Sequence, residues 1–277
     1  MIAVALALAA TASDKIDLRP PADIVVASVT LVGAAVPELF KNQLAAAHCR
    51  LCDGPDNTGL PGTGSQGSLN GVDAWFHDAT TSWVIPRATA ATASDVVGFG
   101  VLPVGTFIGA FTSTGPHATE GAGWRAAAVV GESALLSLAL MQGVKFAAVR
   151  KRPFVRYGNG ETSGIYSVDD PDSRLSLPSG HTALATSLGV SLATTATSQE
   201  SSAAPWLWAV AAVGSITTGT LRMIAEKHYF TDVVAGAAIG AVCGTVIPLL
   251  HRRGGPLSSD SVSVAARSPA LSVSGRF

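Results

Sequence analysis

Long stretches without an ionisable side chain restrict the architecture of this chain more than any other feature. Residues 96–116, 182–199, 201–221 and 233–250 contain no Asp, Glu, Lys or Arg. Residues 126–144 hold one, Glu132, and residues 24–37 form a shorter run of fourteen. A bilayer crossing takes roughly 17–25 apolar residues, so five runs are long enough and 24–37 is marginal. The run 182–199 is rich in Thr and Ser and makes a poor crossing by itself. If every run crosses, the chain is an all-α bundle of about six helices embedded in a membrane. The competing architecture is a soluble all-helical bundle with unusually apolar core helices. Ala, Gly, Ser and Thr are abundant, which suits close helix–helix packing in a membrane. A net charge of −1, with no Lys/Arg run and no basic–aromatic interleaving, argues against a nucleic-acid partner.

The flanks differ from this apolar body. Met1 to Ala12 resembles the apolar part of a secretory signal, with Ala10-Thr11-Ala12 like a cleavage site but no basic residues before it. Residues 1–22 are therefore a signal-like or frayed segment. A helical domain is expected over 23–253, with an irregular loop at 40–95. Within that loop, Trp75, Phe76, Trp83 and Pro86 suggest a short helix at an interface or capping the domain. The Ser/Gly/Pro-rich tail 254–277 is expected to be disordered. Cys49 and Cys52 lack the second pair of a structural zinc site and point to a local disulfide, whereas Cys243 reads as a small core residue.

Three polar clusters interrupt the apolar runs: Lys145-(six residues)-Arg152-Pro153, then Pro178-Ser179-Gly180-His181, then Arg222-(five residues)-His228-(three residues)-Asp232. Cluster one closes the third helix, cluster two opens the fourth, and cluster three joins the fifth and sixth. All three then meet on one side, where helices 3–6 come together at one membrane face. Lys145 and Arg152 are two helical turns apart and share a face if one helix carries both; Pro153 should end that helix. Ser179 is a candidate N-cap, and Gly180 lets a ligand approach the free N–H groups of a helix start, an anion site. His228 and Asp232 face each other across one turn, so that the carboxylate can fix the tautomer of the imidazole and leave its other nitrogen as a nucleophile. Arg222 would lie off that face, so a helix break is expected between Arg222 and His228. Three cations, two imidazoles and one carboxylate are the parts needed to hold and attack a phosphate. Arg150 and Lys151 read as membrane-boundary charges, His48, His77, His117 and His251 as loop residues, and Glu132 as a polar helix–helix contact.

The clusters resemble the type-2 phosphatidic-acid phosphatase superfamily, which includes bacterial class A acid phosphatases and vanadium haloperoxidases. Its pattern K-x6-RP, PSGH, SR-x5-H-x3-D is matched over a catalytic core at 126–250, except that Leu221 stands where Ser is usual. The resemblance implies that His228 attacks phosphorus, oriented by Asp232, and that His181 protonates the leaving alcohol. Lys145, Arg152, Ser179, Gly180 and Arg222 would hold the phosphate oxygens, with no metal or other cofactor. The expected activity is a metal-independent phosphomonoesterase or pyrophosphatase acting through a phosphohistidine. The expected partners are a phospholipid or polyprenyl phosphate and membrane lipid, with the active site facing the periplasm or outside of a bacterial cell. The alternatives are a soluble exported (periplasmic) acid phosphatase of broad specificity, or a vanadate-dependent haloperoxidase.

Overall fold

The computed structural model describes residues 15–46, 49–50 and 70–253, and the regular elements among them are helical. The main helices are α1 (Pro20–Leu39), α2 (Gly71–Thr81), α3 (Arg87–Thr112), α4 (Ala122–Ala148), α5 (Gly180–Ser198), α6 (Ala204–Ile224) and α7 (Phe230–Leu250). Six of them coincide with the six uncharged runs. The seventh, α2, lies where Trp75 and Phe76 suggested a short helix within the 40–95 loop, and α3 also begins inside that loop, at Arg87. The signal-like residues 1–12, His48, Cys52 and the tail 254–277 lie outside the described residues.

Local chemistry sets the helix ends. Asn70 caps α2 by accepting from the Asp73 amide, and Asp232 accepts from the Tyr229 amide at the start of α7. α4 stops at Ala148 because Val149 turns into the left-handed region, with φ of 45°. Arg152 therefore does not share a helix with Lys145, contrary to the spacing argument. It precedes a separate short turn, Pro153–Arg156.

α5 is the axis of the bundle, packed by α7, α6, α4 and α3, and most of its residues are buried. Its Thr/Ser content follows from that position, because it meets protein rather than lipid. The helices α1, α3, α6 and α7, together with the 122–156 segment, are long and apolar enough to cross a membrane. They carry exposed apolar side chains such as Ile24, Val29, Val32, Trp206, Val213 and Ile216. So much apolar surface is unsuited to water and is consistent with a membrane protein.

The approach of α7 to α5 depends on Gly236, Gly240 and Gly244, one per turn on a single face. A Cβ there would stand 2.3 Å from the Ser179 carbonyl oxygen, 2.4 Å from that of Ala183 and 2.9 Å from that of Ser187. Small residues at four-residue spacing let backbones close up where the hydrophobic effect gives no drive between helices. α3 contains a π-helical turn at Val96–Val101, a bulge that often re-aims side chains at functional sites. It follows Asp95 directly and sets Gly98 and Phe99 against His181.

Candidate active site

All three clusters lie at one end of the bundle. α4 and α6 arrive there at their C-termini, carrying Lys145 and Arg222, while α5 and α7 start there, carrying His181 and Asp232. The N-termini of α5 and α7 bring backbone N–H groups without partners inside their own helices to this end. The expected break between Arg222 and His228 is present, since α6 ends at Ile224 and α7 begins at Phe230.

His228 is buried, and its Nδ1 lies 2.7 Å from the Ser176 carbonyl oxygen. A carbonyl only accepts, so Nδ1 carries the proton and Nε2 keeps its lone pair. Arg152 Nη1 lies 3.3 Å from Nε2, a donor against that lone pair. Burial first, then the charges of Arg152, Arg222 and Lys145, hold His228 well below the usual imidazole range.

Asp232 does not take the expected place on this ring. Its closest carboxylate oxygen is 3.9 Å from Nδ1. It accepts instead from Ser176 Oγ at 2.5 Å, from the Tyr229 amide at 2.9 Å and from Arg150 Nη1 at 2.6 Å. Arg150 is thus not a boundary charge. It is buried and spans from Asp232 to Asp73 of α2, which it reaches through Nη2 at 2.8 Å. Asp73 also accepts from the Thr231 amide and hydroxyl. Through these bonds α2, the α4 exit and the α7 start are locked around the Ser176–His228 contact.

The cations converge from separate elements. Arg152 is fixed by the Lys227 carbonyl and by Asp172, whose backbone and carboxylate oxygens accept at 2.7 and 2.8 Å. Although burial opposes its ionisation, Arg152 and Lys145 hold the Asp172 carboxyl well below the usual range. Arg222 donates through Nη1 to Ser94 Oγ at 3.2 Å and Asp95 Oδ1 at 3.3 Å. Its Nε is buried and has no hydrogen-bond partner among the described residues, a donor left for an anion.

His181 Nε2 lies 2.7 Å from Asp95 Oδ1, so one carboxylate joins His181 to Arg222. A cavity of about 240 Å³ opens here, lined by Asp95, Asp172, His181, Arg222, Lys41 and Lys227 among others. Lys227 sits over the Phe154 and Tyr166 rings and donates to the Ile165 carbonyl. Burial, followed by the repulsion of Arg152, pulls its pKa down to about 7.

Ser179 stands at the N-cap of α5 without capping it; its hydroxyl pairs with Thr182 Oγ1 at 2.9 Å. Gly180 backs onto Met141. Leu221 packs against Ala90, Ala91, Ile224 and Ala225, while Ser94 of the facing helix supplies a hydroxyl to Arg222.

Residues 126–255 match the family described as PAP2 superfamily. This part of the chain is similar to that superfamily. The matched stretch carries all three clusters, and this similarity supports an enzyme of the phosphatase type. No curated protein and no solved structure matches the chain.

Several residues at this candidate site carry no motif signal. Asp73 and Asp95 precede the matched region, and Ser176 contributes a backbone carbonyl that any residue has. Asp172 lies in a run of acidic residues that reads as a solvated loop. The one available hint was Asp95, the carboxylate that ends the charged stretch before the run 96–116.

Proposed function

We infer that this chain is a membrane-embedded phosphatase of lipid-linked phosphate monoesters or diphosphates, with His228 as the nucleophile. The observation that carries the reading is the tautomer of His228. Its Nδ1–H is taken by Ser176, and the Nε2 lone pair is left beside Arg152, Arg222 and Lys145.

In this mechanism Nε2 attacks phosphorus as the P–O bond to the lipid alcohol breaks. His181 gives its proton to the departing oxygen, with Asp95 holding the ring. A water then loses a proton to His181 and attacks phosphorus, the P–N bond breaks, and phosphate leaves with His228 restored. Lys145, Arg152, Arg222 and the α5 N-terminus at Ser179 and Gly180 hold the non-bridging oxygens. Each cation about 4 Å from an oxyanion contributes on the order of 4 kcal/mol at an effective dielectric near 20. That exceeds the roughly 1 kcal/mol of a neutral hydroxyl hydrogen bond, so Leu221 is tolerated.

The lipid part of the substrate is argued from the setting. The cavity opens where apolar helices end, so a polar head can enter while its chains stay in lipid. Cys49 is disulfide-bonded and adjoins the site end of the bundle, where the Arg50 amide donates to the Val149 carbonyl. Disulfides persist in oxidising compartments, and Arg252 and Arg253 lie at the other end, as cytoplasmic charges do. Both support an active site on the periplasmic or outer side.

The test is phosphate release by the detergent-purified chain from phosphatidic acid, phosphatidylglycerophosphate and polyprenyl diphosphate. His228→Ala should abolish release and the acid-labile phosphoenzyme formed by the parent. Turnover retained by that variant sinks the assignment.

A further inference from the structure

A second cluster of ligating groups occupies the opposite end of the bundle. Asp23 comes from the first turn of α1, Glu132 from within α4, and His251 from the end of α7, and their donor atoms all lie within 4.8 Å of one another. Glu132 precedes Lys145 by about 20 Å of helix, and His251 follows Asp232 by about 28 Å, at 1.5 Å per residue. The cluster is therefore separate from the phosphate site. Glu132 and His251 are buried and Asp23 is partly exposed, which leaves a route for a small ion.

The tautomer of His251 is decided by its own helix. Its Nδ1 lies 2.9 Å from the Ile247 carbonyl oxygen, so Nδ1 donates and a neutral ring directs the Nε2 lone pair outward. That lone pair faces Asp23 Oδ1 at 3.2 Å and Glu132 Oε2 at 3.3 Å. Three acceptors pointing at one spot repel one another unless a cation lies between them. The remaining Asp23 oxygen is held by the Arg19 amide at 2.6 Å. An imidazole and a carboxylate each oriented by a backbone group have the outer-shell support typical of metal ligands.

Two cations could satisfy the cluster, a proton (on Nε2 or on a carboxyl oxygen) or a metal ion. Charge-assisted N–H···O⁻ contacts run about 2.7–2.9 Å, shorter than both distances here. A tetrahedral ion with bonds of about 2.0–2.1 Å sets its ligands about 3.3–3.4 Å apart, close to both. An imidazolium also leaves one negative charge uncompensated among partly buried groups, whereas a divalent ion with neutral His251 brings the sum to zero. We propose that Asp23, Glu132 and His251 form a structural site for a zinc-class divalent cation that ties α1, α4 and α7 together. Below it, Ile16, Val129 and Ile247 form a small apolar cluster. The Asp17 amide donates to the His251 carbonyl at 2.8 Å, so the ion would also secure the chain that leads into α1.

The experiment uses the full chain in detergent, stripped with a chelator and kept oxidised so that Cys49 stays paired. Titration with Zn²⁺ followed by calorimetry should show one ion per chain and a rise in unfolding temperature. Co²⁺ should give the visible absorption of a four-coordinate site. Glu132→Gln, which keeps the side-chain volume, and His251→Ala should each weaken binding at least tenfold and remove the temperature rise. His228→Ala, a control for binding at the active site, should bind as the parent does. Parent-like Zn²⁺ binding by both Glu132→Gln and His251→Ala, or a parent that binds no Zn²⁺, overturns the proposal and leaves a proton as the only occupant.

Discussion

The Nδ1 atom of His228 is held by the backbone carbonyl of Ser176 at 2.7 Å, while Asp232 stands off at 3.9 Å. Asp232 acts on the imidazole indirectly, by accepting from Ser176 Oγ and from the Tyr229 amide. Its replacement should therefore disturb the frame more than the tautomer. Asp232→Ala leaves the buried Arg150 short of a partner, a loss of about 3–5 kcal/mol of stability for a broken buried pair. Asp232→Asn should unfold earlier than the parent yet keep measurable turnover, whereas His228→Ala has none. Unfolding temperature and kcat measured on the same preparations separate the two effects.

The pH dependence follows from the lowered pKa of His228. Folded, the ring stays neutral well below pH 6.5, whereas the unfolded chain protonates it near 6.5. The unfolded state then binds the extra proton, so stability should fall as pH drops below 6.5, by up to about 1.4 kcal/mol per unit from this group. Activity should be bell-shaped in pH with its maximum on the acid side. The acid limb reports His228, and the basic limb reports His181, whose pKa burial pulls down to about 4. Lys227, with a pKa of about 7, is charged only below that value. KM should therefore rise above about pH 7, and Lys227→Gln should flatten that rise. KM and kcat measured from pH 4 to 9 check both statements.

Asp95 lies outside the matched region yet carries the His181 contact at 2.7 Å. Asp95→Asn should lower kcat by about 10²-fold, the lower end of what general acid catalysis supplies. KM should change little, and the unfolding temperature should stay near that of the parent because this side chain is half-exposed.

Asp172 occupies Arg152 in the absence of substrate, where a phosphate would compete for the same fork. Asp172→Asn should tighten inhibition by inorganic phosphate roughly five- to tenfold, the size of a partly exposed ion pair near 1 kcal/mol. A competitive Ki measured on both chains gives the answer.

The glycine face of α7 should tolerate no side chain. Gly240→Ala places a methyl 2.4 Å from the Ala183 carbonyl oxygen, and backbone cannot rotate aside. Overpacking of this kind costs about 1–3 kcal/mol. A lower unfolding temperature is expected, together with lower activity, since α5 carries His181 at the same interface.

The fold class and the candidate site's chemical inventory were legible in the residues themselves. Uncharged runs are local in sequence, and a helix in lipid must satisfy its own backbone, so six long helices followed from composition and length. Lys145, Arg152, His181, Arg222 and His228 could be named because their types and spacings survive in the linear order. The partners of these residues could not be named that way. Ser176 works through a carbonyl that carries no sequence mark, and Arg150, Asp73 and Asp95 gain meaning only when α2 and α3 fold over the site. His251 and Glu132 are 119 apart in the chain by number (251 − 132), and only the packing of α7 on α4 brings them to 3.3 Å. Composition and spacing act along the chain, whereas the bond that sets a tautomer or gathers an ion's ligands depends on which helix ends meet, and tertiary packing alone decided that.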